Sequence, residues 1–456
     1  MIRVFSHWLP SKTVYELLFD FFLVVTMVLG AAWLDRDNAP ALGTVALYAF
    51  AFALLTTALN RAIGFYHLDA SRGLAHIVAI ALVSFFLATP VAYAIFNELP
   101  TRDAPNRFLQ VSALLALAAI VVIRIWAAHS SFMPVLARRV MVLGTGPEAK
   151  AVEQSLRPGQ FRVVGFYPLR GDATDVPPAR LIPTDSPLVE IVRKLKVNEI
   201  IVAVGERRGG AMPLNELLEC KLAGVRVLDL SSYFERALGQ VRLDSLRASW
   251  LIFGDGFRQG LLRTIVKRIF DVAVAAILLA VTLPLMLITA LLILLESGFP
   301  IFYKQERVGL AGRIIKVTKF RSMRTDAEVD GKPRWAASND ERVTRTGRFI
   351  RRYRIDELPQ LVNVLKGDMS LVGPRPERPF FVEQLTQTTP FYAARHSVKP
   401  GLTGWAQVRY HYGATMDDAA KKLQFDLYYV KNHSLFLDLV VLFETVVVVV
   451  TGKGAQ

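Results

Sequence analysis

The chain has 456 residues, is 53% hydrophobic with a mean hydropathy of +0.35, and carries a formal charge of +15. That hydrophobicity puts part of the chain in lipid, and the basic balance points to anionic lipid or phosphorylated substrates as partners. The single cysteine, Cys220, excludes an internal disulfide and any cysteine-based metal site.

The opening, MIRVFSHWLPSKTVYELLFDFFLVV, has polar and charged residues ahead of its apolar run and no small-residue cleavage site. It reads as a retained segment rather than a signal peptide. Four apolar runs fill the first third, at about 15–34, 41–60, 74–96 and 109–128. Each approaches the roughly 20 residues that a spanning helix needs, so residues 1–137 are expected to form a four-helix transmembrane region. Arg3 and Lys12 precede the first run, Arg61 and Arg72 lie between the second and third, and Arg138 and Arg139 follow the fourth. That placement favours both ends of the bundle in the cytoplasm.

Residues 138–250 change character. RRVMVLGTGPEAKAVEQSL reads as a strand, a Gly-rich turn and a helix, and FRVVGFYP, NEIIVAV and VRVLDL alternate with helical stretches around 187–196 and 213–222. Strands alternating with helices predict a parallel, Rossmann-like α/β domain. Gly144, Gly146 and Ala149 give the G-x-G-x-x-A spacing of a nucleotide turn. The second strand ends in Gly165-Phe166-Tyr167 without the acid that would hold a ribose, so the glycines are better read as serving the turn and its packing.

A fifth apolar run, DVAVAAILLAVTLPLMLITALLILLESG, starts at Asp271. Arg263, Lys267 and Arg268 flank one end, and Lys304, Arg307, Arg313, Lys316, Lys319 and Arg321 follow the other. Two basic flanks favour the same side of a membrane, and Pro284 near the midpoint removes a backbone hydrogen bond. A helix over about 265–296 that enters the bilayer, breaks at Pro284 and returns satisfies both facts; an ordinary spanning helix with a proline kink is the alternative. Near the C-terminus, LFLDLVVLFETVVVVVTG is interrupted by Asp438 and Glu444, so it is expected to lie in the interface or to pack as core.

Between these segments lies RRYRIDELPQ. Asp356 could simply cap a helix DELPQLVNVLKGD, with Glu357 in its first turn and Pro359 tolerated there. The neighbours argue for more. Arg351, Arg352, Arg354 and, in the turn-rich GDMSLVGPRPE, Arg375 surround two adjacent carboxylates. Clustered guanidinium groups bind phosphate through paired hydrogen bonds. A carboxylate kept ionised among them can attack a phosphorus centre, and Mg²⁺ prefers one or two carboxylates plus substrate phosphates. No recognition helix or interleaved aromatic signature for nucleic acid is present. His396, in RHSVKPGLTGW, is the histidine nearest this region and reads as structural.

KQERVG (304–309), KFRSM (319–323), DELPQLVNVLKGDMSLVGPRPE (356–377), KPGLTGWAQV (399–408) and FDLYYVKNHSLFLDLVVLFETV (425–446) together resemble the bacterial sugar transferases. These are the polyprenyl-phosphate hexose-1-phosphate transferases, or monotopic phosphoglycosyltransferases. The likeness covers 262–456, and the upstream layout is similar to the large form of the family. MIRVFSHWLP and HYGATMDDAAKKLQFDLYY resemble the branch associated with exopolysaccharide loci of exosortase systems. The resemblance implies an α/β-mixed catalytic domain with a re-entrant membrane helix. It implies transfer of a sugar-1-phosphate from a UDP-sugar donor to undecaprenyl phosphate, on the cytoplasmic face of the bacterial inner membrane, with release of UMP. It implies Asp356 as the nucleophile that forms an aspartyl-phosphosugar, Glu357 as its partner at Mg²⁺ (or Mn²⁺), and Arg351 and Arg375 as phosphate ligands. Lys319 and Arg321 of KFRSM are further candidates for the substrate phosphates. Leu283-Pro284 departs from the Ser-Pro that many members carry at the helix break. The α/β domain is expected to regulate the enzyme or to form a homodimer. The competing readings are a non-catalytic membrane scaffold or nucleotide sensor, and a nicotinamide-dependent oxidoreductase, which the missing acid after the second strand disfavours.

Overall fold

The computed structural model describes residues 2–4, 7–9, 11–34, 41–62, 74–97, 107–129, 138–156, 161–169, 175–204, 212–243, 260–324, 342–410 and 415–451. They fall into two compact units, one running to Leu228 and the other from Asp229 onward, with the first few residues shared between them.

After two short strands, β1 (Ile2–Val4) and β2 (His7–Leu9), the first unit contains four long helices. These are α1 (Ser11–Leu34), α2 (Leu42–Ala62), α3 (Leu74–Asn97) and α4 (Arg107–His129), at the four places where the apolar runs predict them. α1 packs on α2 and α4, and α3 packs on the same two. Their shared core is rich in alanine, including Ala49, Ala53, Ala88, Ala92, Ala113 and Ala116, around Phe52 and Ile120. Small side chains let helix backbones approach closely, which is how apolar helices associate where burial from water offers little. A buried hydrogen bond from Ser84 to Asn60 ties α3 to α2. Among the described residues, α1 (over Val14–Leu34) and α2 (over Leu42–Asn60) are long and apolar enough to cross a membrane. The apolar stretches described in α3 and α4, Ser84–Ile95 and Gln110–Ile123, are shorter.

The α/β part holds strands β3 (Arg138–Leu143), β4 (Phe161–Tyr167), β5 (Glu199–Val202) and β6 (Arg226–Asp229) in the order β4-β3-β5-β6. β3 pairs parallel with both β4 and β5. Helices α5 (Pro147–Ser155), α6 (Leu188–Lys194) and α7 (Leu214–Leu222) alternate with these strands. Met141 and Leu143 of β3 and Ile200 and Val202 of β5 are buried in one core with Leu188 and Leu217 of the helices. Strands covered on both faces read as continuous apolar runs, as VMVL and EIIV do here.

The second unit begins with α8 (Leu230–Leu238), which the sequence reading placed in the α/β domain. The Trp405 indole N–H donates to Gly239 O at 2.7 Å, and Lys431 pairs with Glu235 at 2.9 Å. Helix α9 (Leu261–Ser297) follows, then an antiparallel hairpin of β7 (Phe302–Val308) and β8 (Ile314–Phe320). Helix α10 (Arg345–Arg352) leads through a 3₁₀ turn at 355–357 into α11 (Gln360–Lys366). Strand β9 (Ser370–Val372) pairs parallel with β10 (Gly401–Thr403), with α12 (Pro379–Thr388) between them. Helices α13 (Trp405–Arg409), α14 (Met416–Asn432) and α15 (Leu435–Thr451) complete the unit. Ala275 of α9, Val364 of α11, Leu371 of β9, Leu427 of α14 and Leu437 of α15 share its core. The C-terminal apolar segment therefore packs as core through Leu437 and Val441, while Leu439 and Phe443 stay exposed.

Two differences from the sequence reading concern helices. Helix α9 continues through Pro284 without interruption, so the expected break is absent from its secondary structure. A proline removes one N–H and its i−4 bond, here to the carbonyl of Ala280, a loss that an apolar helix tolerates. α11 starts at Gln360 and Pro359 takes the cap position, so Asp356 is no helix cap.

Both ends of α9 are fastened to this one unit. Arg268 donates to the carbonyls of Val364 and Leu365 at the end of α11, each at 2.6 Å. Lys267 lies between two buried carboxylates, 2.8 Å from Asp271 and 2.9 Å from Asp438. Asp271 also accepts from Ser370 Oγ at 2.8 Å, so α9 is joined to β9 and α15 together. At the other end Glu296 accepts the first N–H groups of α10, from Arg345 at 2.8 Å and Thr346 at 2.9 Å.

Asn363 joins α11 to β8, accepting from Thr318 N at 3.1 Å and donating to Lys316 O at 2.8 Å. Asn363→Ala leaves that strand's N–H and C=O unpaired and is expected to destabilise the second unit by about 1–3 kcal/mol. Denaturant unfolding in detergent, followed by circular dichroism, checks it; an unchanged midpoint contradicts this role.

Candidate active site

The acid pair sits on the 3₁₀ turn between α10 and α11. Arg354, just before it, adopts a left-handed conformation at φ 54°, which reverses the chain sharply after α10. Such a backbone is uncommon for a residue with a Cβ and persists only where its surroundings hold it. Here the Arg354 guanidinium lies 3.7 Å from Glu357 Oε2. The close seating of α10 also contributes: a Cβ on Gly347 would meet Ser322 O at 2.0 Å.

Glu357 is the most constrained group in the site. Its Oε1 accepts from Lys319 Nζ at 3.0 Å and from Arg375 Nη2 at 2.6 Å. Lys319 comes from β8 and Arg375 from the turn after β9, so three separate segments meet on one carboxylate. Burial alone would raise the Glu357 carboxyl, but Arg375, Lys319 and Arg354 together hold it well below the usual range. Lys319 is itself pushed down by burial, against the pull of Glu357.

Asp356 is 9% exposed and makes no salt bridge or side-chain hydrogen bond among the described residues. Burial first, and then the negative charge of Glu357, raise its carboxyl to about 6, against the opposing charges of Lys319, Arg351 and Arg375. The two neighbouring acids are thus pushed apart: one permanently charged and clamped, the other unclamped and titrating near neutrality. Divergence of this kind is common between carboxylates that share a catalytic site.

The structure brings Glu357, Lys319 and Arg375 into direct contact, with Asp356 beside them. Arg351, in the last turn of α10, acts on Asp356 through its charge. Arg321, expected among the substrate-phosphate candidates, is engaged at one nitrogen with the end of α9. It is buried and its Nη2 donates to Ser297 O and Gly298 O, both at 2.7 Å. A helix C-terminus leaves carbonyls without donors, and Arg321 supplies one for α9. His396 packs edgewise on Tyr392 and is pushed down to about 4 by burial, so it is neutral near pH 7.

Sequence reading missed a supporting layer. Arg395 donates to the backbone carbonyl of Arg375 at 2.8 Å and to Tyr392 OH at 2.7 Å, and its Nε donates to Asp426 Oδ2 at 3.0 Å. Arg307 Nη1 donates to Pro376 O at 3.0 Å. On the other side, a Cβ on Gly373 would meet Lys399 O at 2.4 Å, so the loop that carries Arg375 is packed against β10's approach as well. One signal was available: Asp426 is a lone acid inside the apolar run FDLYYV, and a buried acid needs a cation.

Among the described residues no cluster of three or more His, Cys, Asp or Glu side chains could hold a metal. The donor set still suits Mg²⁺, which keeps waters and takes one or two carboxylates plus substrate phosphates. Asp356 and the Oε2 side of Glu357 are the atoms that could hold it, since Oε1 is already occupied by Lys319 and Arg375.

The model of the bacterial sugar transferase family matches residues 262–452. The chain is 44% identical over 240 residues to the UDP-N-acetylgalactosamine-undecaprenyl-phosphate N-acetylgalactosaminephosphotransferase of Aeromonas hydrophila, covering 53% of this chain and 56% of that protein. It is 35% identical over 327 residues to the undecaprenyl-phosphate glucose phosphotransferase of Komagataeibacter xylinus, covering 68% of this chain and 59% of that one. The match therefore spans little more than half the length of these two relatives. A longer match, 32% identical over 364 residues, joins 76% of this chain to 73% of the UDP-glucose:undecaprenyl-phosphate glucose-1-phosphate transferase of Xanthomonas campestris pv. campestris. With the acid pair, its cations and the PRP loop all inside the matched region, the chain belongs to the bacterial sugar transferase family.

Proposed function

We propose that the protein transfers a sugar-1-phosphate from a UDP-hexose to undecaprenyl phosphate at the cytoplasmic face of the bacterial inner membrane, starting a polysaccharide or other glycoconjugate. The observation that carries this reading is the asymmetry of the acid pair. Glu357 is bound by three cations, while Asp356, equally buried, is left to react.

The chemistry follows in two steps. A carboxylate oxygen of Asp356 attacks the phosphorus that bears the sugar. The bond from that phosphorus to the bridging oxygen breaks, its electron pair leaves with UMP, and an aspartyl-phosphosugar remains. An oxygen of undecaprenyl phosphate then attacks the same phosphorus, releasing the polyprenyl-diphosphate sugar and restoring Asp356. Lys319, Arg351 and Arg375 offset the charge of the phosphate oxygens during both displacements. A Mg²⁺ or Mn²⁺ ion held by Asp356 and Glu357 would supply further neutralisation. Burial keeps competing water from the intermediate.

Membrane placement rests on α9. Its two ends are fastened to the same unit, through Arg268 and Lys267 at one end and Glu296 at the other, while its middle exposes Ile277, Val281, Leu287, Leu291 and Leu295. We read it as a re-entrant helix that is bent near Pro284 without a break in its α-helical hydrogen bonding, and α1–α4 as a spanning bundle. The α/β domain, with its strands in the order β4-β3-β5-β6, is assigned to regulation or self-association.

Three outcomes are expected. In membranes with undecaprenyl phosphate and Mg²⁺, one donor from a panel led by UDP-glucose and UDP-N-acetylgalactosamine should release UMP; Asp356→Asn should lower that rate on the order of 10³-fold or more, and EDTA should abolish it. Near-normal turnover by Asp356→Asn contradicts the nucleophile assignment. The wild-type rate should fall as pH drops through about 6, because Asp356 must be ionised to attack. Glu357→Gln removes the adjacent negative charge, so the residual rate should have its acid limb at lower pH; a shift upward would contradict the pairing. Finally, in a Cys220→Ala background, single cysteines at Gly260 and Leu310 should both react with an impermeant reagent from the cytoplasmic side, and labelling from opposite sides refutes the re-entrant helix.

A further inference from the structure

Helix α10 has two faces with different chemistry. Inward lie Gly347 and Ile350, both buried, and the helix ends in Arg351 and Arg354, which serve the acid pair. Outward lie Arg345, Arg348, Phe349, Arg352 and Tyr353, all exposed. Their spacing of three and four residues puts them on a single stripe. Phe349 is 55% exposed and Tyr353 40%, their rings 5.1 Å apart, with the Arg352 guanidinium 5.8 Å from the Tyr353 ring.

The position of this stripe identifies its partner. Glu296, in the last turn of α9, accepts the first N–H groups of α10, so the two helices meet end to end. Immediately before that junction α9 exposes Leu291, Leu292 and Leu295, the last at 74%. Exposed leucines thus lead up to the junction from which the stripe of aromatic rings and arginines starts. That sequence of apolar, aromatic and cationic groups follows the depth profile of a bilayer leaflet from acyl chains to headgroups. An acidic protein or a nucleic acid would satisfy the arginines but would leave the adjoining leucines in water.

We propose that the outward face of α10 is a binding surface for anionic phospholipid headgroups, and that their binding seats the turn bearing Asp356 and Glu357. Phe349 and Tyr353 enter the headgroup region while Arg345, Arg348 and Arg352 engage lipid phosphates. Arg354 follows α10 directly, so a helix held at the interface fixes the height of the acid pair above the membrane. The inference rests on the membrane placement of α9, and the test separates the two.

In a Cys220→Ala background, a nitroxide is attached at Phe349→Cys or, as a reference for α9, at Leu287→Cys, and each protein is placed in nanodiscs of zwitterionic lipid or of zwitterionic lipid mixed with phosphatidylglycerol. Collision with oxygen and with a water-soluble nickel chelate then reports depth. The expected result is a deep label at 287 in both compositions, and a label at 349 that moves from water to headgroup depth only with phosphatidylglycerol. Arg345→Gln, Arg348→Gln and Arg352→Gln together should leave the label at 349 in water even with phosphatidylglycerol, because each charge removed weakens the association roughly fivefold, and high salt should act in the same direction. A label at 349 that is equally open to water in both compositions, with 287 deep, overturns the headgroup surface and leaves the membrane placement standing. A label at 287 in water overturns both. Neither reading depends on transfer being active.

Discussion

The meeting of Lys319, Arg354 and Arg375 on the Glu357 carboxylate is the constraint on which the rest of the catalytic unit depends. It draws together a strand of the hairpin, the turn after α10 and the loop after β9, segments that share no local pattern. A buried carboxylate of this kind is costly unless its charge is matched, and matching it with three cations leaves an excess of positive charge facing outward. In the proposed reaction, that excess is what a diphosphate substrate meets. The same interaction therefore stabilises the fold locally and prepares the site for an anion.

The neighbouring Asp356 owes its character to that arrangement. Because Glu357 takes the direct contacts, Asp356 experiences the cations only at a distance and feels the negative charge of Glu357 closely. A carboxylate stabilised too well by direct ion pairs would be a poor nucleophile, since attack would require those contacts to be broken. In the proposed mechanism, dividing the work between adjacent residues avoids this: one acid organises the cations and the other reacts. Tight tethering of α9 at both ends adds a mechanical counterpart, holding an apolar helix and a charged site in a fixed relation.

Much of this was legible in the chain. The apolar runs, the strand–glycine turn–helix at 138–155 and the acid pair among arginines all follow from local composition and spacing, and helices and strands appear where those patterns place them. What was not legible depended on contacts between distant residues. The pairing of Lys319 with Glu357 joins residues 38 apart, and that of Arg395 with Asp426 joins residues 31 apart. Arg321 resembled its neighbour Lys319 as a basic residue in one motif, yet α9 ends beside it and takes its hydrogen bonds. Local rules also misplaced the start of α11: Asp356 suits a helix cap by residue type, but the left-handed turn at Arg354 places it on a 3₁₀ turn instead.

Arg395 holds Arg375 by its backbone carbonyl and not by its side chain. Anchoring of this kind separates the path of the loop from the group it presents. The turn is held through Arg395, Arg307 and the close approach at Gly373, contacts made by its backbone. The loop is thus a socket whose path is set by its backbone, which lets the guanidinium of Arg375 direct its hydrogen bond to Glu357.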